Sequence, residues 1–164
     1  MKDKIILQII TVLGLGGWSL LFRKGPIKDW FLVYLFKTFI TTLIDGPVTK
    51  KKLVTYPYRF LANIFETNII FDYIIFPLLC VFYSQFTYKM KLLKTIVSVF
   101  LFSLPMTVIQ EWLERNTQLV KYSRRWSWIN TLSVLTMTFW SSRIFIAWIR
   151  FINQKRKNLN LIKN

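Results

Sequence analysis

Histidine is absent from this chain of 164 residues, and cysteine occurs once, at Cys80. The first absence excludes Ser-His and Cys-His nucleophilic pairs, His-ligated haem and the commonest metal ligand. The second excludes a disulfide framework and a zinc cluster. No HExxH, Gly-rich phosphate loop or GxSxG elbow occurs. The stretch IDGPVTK, Ile44 to Lys50, holds an Asp-Gly step without the later Gly, Ala-Arg and paired Asp of a metal-bound phosphate-transfer motif. The expectation is a non-enzymatic chain with no cofactor. Acids are scarce as well, 7 Asp plus Glu against 23 Lys plus Arg, so each carboxylate can be followed individually.

Apolar residues are abundant: 54% of the chain is hydrophobic and 18% aromatic. A soluble domain of this length could not bury that much, and its ordinary charged content is about 25% against the 18% found here. Lipid is the natural solvent. A formal charge of +16 on a soluble domain would suggest nucleic acid. Here the basic residues fall in short runs between apolar segments, the pattern of membrane flanks facing anionic head groups, and no nucleic-acid partner is expected.

The fold expected is an all-α integral membrane bundle: a single domain over 1–164, with about five transmembrane helices. Spans are read at 5–22, 30–44, 68–83, 95–113 and 126–152, followed by a basic, frayed tail at 153–164. The first lacks a small-x-small cleavage pattern after Gly17 and is read as retained. Its Gly14, Gly16 and Gly17 would let another helix come close. Gly25-Pro26 signals a tight turn. Between the second and third spans, Pro57 opens an amphipathic pattern over Tyr56 to Glu66, expected as an interfacial helix. Lys50, Lys51, Lys52 and Arg59 around it are candidate contacts for anionic lipid.

Charges inside the spans carry most of the functional information. Lys37, Thr41 and Asp45 recur every four residues and give the second span one polar stripe, which should face protein or water. Asp72 lies about one turn, roughly 6 Å, inside the third span. A lone carboxylate there costs about 2.5 to 3.5 kcal/mol, so it needs a partner. Glu111 and Arg115 stand at the helical ion-pair spacing, and Glu114 is adjacent. Arg143 lies within the last span, beside a hydroxyl stripe of Thr131, Thr138 and Ser142. Five spans bring Asp45, Asp72, Glu111 and Glu114 to one membrane face. Lys37, Asp45, Asp72, Glu111, Glu114, Arg115 and Arg143 are therefore candidate members of a charge network. One reading is a structural ion-pair network that fixes helix register. The other is a polar cavity at Asp72, Asp45 and Lys37 for an ion, a proton or a small solute.

The stretches WSLLFRKGPIKDW (Trp18 to Trp30), FDYIIFPLLCVFY (Phe71 to Tyr83) and EWLERNTQLVKYSRRWSW (Glu111 to Trp128) together resemble a group of small, uncharacterised multi-span membrane proteins of endospore-forming Bacilli and Clostridia. The resemblance implies a multi-pass place in the bacterial cytoplasmic membrane and a role connected with the sporulating cell; it carries over no substrate and no catalytic residue. The function expected is a structural or accessory subunit of a membrane assembly, with other membrane proteins or a second copy as partners. The alternative is a small-solute or ion-conducting subunit. Lys plus Arg divide ten against ten between the two faces, and Arg150 tips the balance by one toward a cytoplasmic C-terminus.

Overall fold

A computed structural model describes residues 2–21, 25–60 and 64–163. Helix α1 (Lys2–Leu21) is followed by a turn at Gly25, whose φ of +88° suits a residue without Cβ, and by α2 (Ile27–Lys50). A short strand β1 (Val54–Thr55) precedes a π-helical segment, Ile70–Ile75, that runs directly into α3 (Phe76–Phe86). Helices α4 (Leu92–Ser98) and α5 (Phe100–Asn116) form one rod through Val99. Strand β2 (Lys121–Tyr122) then leads to α6 (Trp128–Lys163).

Helix α2, the α4–α5 rod and α6 are each long and apolar enough to cross a membrane; Ile70–Phe86 is apolar but shorter. Their surfaces match that reading, because large apolar side chains point outward: Phe39 is 62% exposed, Val108 66% and Ile144 67%. Polar side chains turn inward instead, with Lys37, Thr41, Asn68, Asp72 and Ser142 buried. Many hydroxyls satisfy themselves on their own helix, as when Thr107 donates to Ser103 O at 2.7 Å and Thr138 to Val134 O at 2.7 Å.

Short α3 is the axis of the bundle, with α1, α2 and α6 against it and α5 on α6. Tyr83 ties four elements together: its buried hydroxyl donates to Thr95 O at 2.7 Å, and its ring meets Phe102 and Phe139 edge-on, each at 5.5 Å. Helix α1 lies closely on the π segment. A Cβ on Gly14 would come within 2.7 Å of Ile74 Cγ2, and one on Gly17 within 3.4 Å of Leu78 Cδ1, whereas Gly16 faces open space. Two of the three glycines thus provide the expected close approach.

Several boundaries differ from the sequence expectation. Helix α2 passes Gly46 and Pro47 and ends only after Lys50, since a proline φ suits a helix and the lost N–H bond falls near its end. Its terminus closes with Leu53 N–H donating to Val48 O and Lys52 N–H to Thr49 O, leaving Lys52 at φ +52°, where glycine is usual. The tail expected to fray continues α6 as helix to Lys163. The interfacial helix expected over Tyr56 to Glu66 is absent from its described residues, which form turns and bends; residues 61–63 lie outside the described ones. Tertiary pairing explains the change. Val54 and Thr55 pair antiparallel with Tyr122 and Lys121, Tyr58 N–H donates to Gln118 O at 2.8 Å, and Pro57 favours an extended Tyr56. The two long connections are therefore strapped to each other.

Candidate functional site

The polar stripe of α2 repeats every four residues, so Lys37 and Asp45 reach the same side of one helix two turns apart. The π segment turns Asp72 toward them. The extra residue per turn of a π-helix displaces side chains from their α-helical directions and is frequent at functional positions. Lys37, Asp45 and Asp72 line one cavity of about 70 Å³ beneath the β1–β2 strap. Tyr56 and Tyr122 close it from the strap, and Gln110 and Thr138 complete its wall from α5 and α6. This volume exceeds the roughly 10–15 Å³ one water needs.

Asp72 is 1% exposed, and its Oδ2 has no hydrogen-bond partner. Its backbone N–H donates to Asn68 O at 3.0 Å. One turn earlier Asn68 is 0% exposed with both side-chain amide atoms unpartnered. Two unsatisfied polar side chains in succession are uncommon in a native interior. Lys37 donates to Thr41 Oγ1 and places its ammonium 5.5 Å from the Phe76 ring centre. Among the described residues, the ion pairs within 4 Å are Arg115–Glu111 and Arg150–Asp29, so Asp72 has no cation at contact distance.

The acids of this end act on the phenols of the strap. The Tyr56 phenol is held well above its usual range, first by burial and then by the carboxylates of Asp72 and Asp45 and by Tyr122. Tyr122 is also raised, first by burial; Glu111 and Glu114 add to this, against a hydrogen bond with Thr131.

The expected charge network thus divides. Lys37, Asp45 and Asp72 share the cavity. Glu111 and Arg115 form the helical pair at 2.9 Å on the outer surface, where the 72% exposed arginine side chain makes it worth at most a few tenths of a kcal/mol. Glu114 enters through its backbone carbonyl, which accepts from Lys121 at the C-terminus of α5. Arg143 is at the opposite end of the bundle: its Nε donates to Thr87 Oγ1 at 3.0 Å and its Nη2 to Thr87 O at 3.2 Å, capping α3. At that end Arg150 also pairs with Asp29 at 2.7 Å and stacks 4.3 Å from the Tyr88 ring centre. Sequence spacing left Arg150–Asp29 unnoticed because 121 residues separate the partners. Of the candidate lipid contacts, Lys50, Lys51 and Lys52 are exposed. Arg59 instead holds its own loop, donating to Phe65 O at 2.6 Å and Tyr56 O at 2.8 Å.

Among the described residues no cluster of three or more Asp, Glu or Cys could hold a metal ion. Compared with protein-family models, curated proteins and solved structures, the chain matches none.

Proposed function

We propose that this chain is a five-span, multi-pass protein of the bacterial cytoplasmic membrane, a non-enzymatic accessory subunit whose carboxylate cavity binds a small monovalent cation. The three long apolar helices support membrane placement, and α1 and Ile70–Phe86 bring the count to five. Exposed Trp128 and Trp148 on α6 lie twenty residues apart, about 30 Å at 1.5 Å per residue, the thickness of a hydrocarbon core. The resemblance to the endospore-former group supports a bacterial membrane as the location.

One observation carries the cation: a buried carboxylate lining a polar cavity, with an unpartnered oxygen and no cation within 4 Å. Leaving such a group charged and unpaired is very costly, so it takes up either a proton or a cation. Asp45 supplies a second carboxylate and Lys37 offsets one of the two, which leaves room for a single positive charge. Binding is favoured over conduction because Val81 and Phe139, at or near zero exposure, are packed core on α3 and α6 between the residues that line this cavity and those of the other end.

Thermal unfolding of the detergent-solubilised protein in sodium, potassium and choline chloride at constant ionic strength tests the reading. The wild type should gain stability saturably with one small cation, by about 2.7 kcal/mol at a hundred times its Kd. Asp72→Asn should abolish that dependence while melting no lower. Identical melting in all three salts, or an unchanged cation response in the variant, would overturn the cation site.

A further inference from the structure

A second concavity lies at the far end of the bundle, between α4 and α6. It encloses about 440 Å³ and opens sideways between Leu92 and Ile96 on one wall and Ile144 and Ala147 on the other. Leu92 is 77% exposed, so the groove offers apolar surface outward. Its polar lining includes two donors with capacity to spare, on Arg143 and Trp140. Arg143 spends two of its five N–H bonds on Thr87, and the described residues place no carboxylate within 4 Å of it. The indole Nε1 of Trp140, in the same wall, is buried with no acceptor. Trp140, Arg143, Ile144 and Ala147 follow at three, four and seven residues, one face of α6.

Depth fits this chemistry. Arg143 is five residues inside Trp148, about 7.5 Å along the helix, within snorkelling reach of the head-group level. Lys91 and Lys94 are exposed beside the groove entrance, so the local charge is positive. A ligand fitting this site is apolar for most of its length and carries one anionic, acceptor-rich end.

We infer that the α4–α6 groove is a specific site for one anionic phospholipid, with an acyl chain along Leu92, Ile96 and Ile144 and its phosphate on Arg143. The site rests on the membrane placement proposed above but is independent of the cation cavity. A zwitterionic lipid brings the same phosphate together with a quaternary ammonium, which exposed Lys91 and Lys94 beside the entrance repel, whereas a lipid with net negative charge brings no such cation.

Native mass spectrometry of the detergent-solubilised chain with dioleoyl phosphatidylglycerol, dioleoyl phosphatidylcholine or oleate tests the inference. One phosphatidylglycerol adduct should persist at collision energies that strip phosphatidylcholine and oleate. Ala147→Trp, at an exposed position, fills the groove without touching Thr87 and should weaken that adduct at least tenfold while melting like the wild type. Arg143→Gln should lose it too, and Lys51→Gln at the other end should keep it. Equal retention of phosphatidylcholine or oleate, or an undiminished phosphatidylglycerol adduct in Ala147→Trp, would overturn the site. A chain that stays monomeric in buffer without detergent would instead overturn the membrane placement itself.

Discussion

The hydroxyl of Tyr34 on α2 donates to the backbone carbonyl of Tyr73 in the π segment, a bond between two helices. Tyr34→Phe keeps the edge contact with Trp18 at 5.3 Å but removes the donor. It should cost about 1 kcal/mol, read as a lower melting temperature in detergent. Tyr56 gives a pH-dependent counterpart. Its phenol is raised well above 10.0, first by burial and then by Asp72 and Asp45, so the folded chain holds that proton more tightly than the unfolded one. Below pH 10 the phenol is neutral in both states and burial costs nothing through ionisation. Above it the unfolded chain releases the proton first, and stability falls until the folded value is passed. A melting series from about pH 8 to 11.5 should therefore show the wild type losing stability faster than Tyr56→Phe at the alkaline end; parallel curves would exclude an ionisation of Tyr56 linked to folding.

At the scale of elements, the glycines of α1 separate packing from propensity. Gly14→Ala brings a methyl to 2.7 Å from a stiff β-branched isoleucine and should destabilise by about 1 to 3 kcal/mol. Gly16→Ala meets nothing within 4 Å and should be neutral or stabilise by up to about 1 kcal/mol through helix propensity. Melting of the two variants side by side reads the difference. The sequence already marked these glycines as points of approach, because residues without side chains in an apolar helix have few other uses. It also marked the polar stripe of α2, because a lysine and an aspartate at helical spacing cannot both face lipid. The strap was not legible: Val54–Thr55 and Lys121–Tyr122 are two-residue strands whose pairing depends on partners 66 to 68 positions away, and the local amphipathic pattern around Pro57 points to a helix. Nor was the π segment, since nothing in IFDYII distinguishes five residues per hydrogen-bonded turn from four. Nor could spacing show that Asp72 lacks a cation within 4 Å, since the distance from Lys37 depends on how α2 packs on the π segment.

For the whole molecule, the five spans proposed above would put the two ends on opposite sides of the membrane. Arg150, the one basic residue that breaks the even division of charge, is held in place by Asp29, Tyr88 and Trp30. Cys80 is 1% exposed, so in intact cells a membrane-impermeant maleimide should leave the native chain unlabelled. In a Cys80→Ala background, a cysteine placed at Lys4 and one placed at Lys157 should label from opposite sides. Labelling of both from the same side would reduce the span count to an even number.

Trp128 and Trp148, at the start of α6 and fifteen residues before its end, bear on where a membrane-spanning chain would reside. With the Trp128–Trp148 stretch about 30 Å long, α6 would have to tilt in a thinner bilayer, and in a thicker one would pull the leaflets inward around it. Because α6 walls both the acidic cavity and the basic groove, either adjustment would reach both at once. Hydrophobic mismatch would then act on the occupancy of two distant pockets together, and sorting among bilayers of unequal thickness would decide where both are filled.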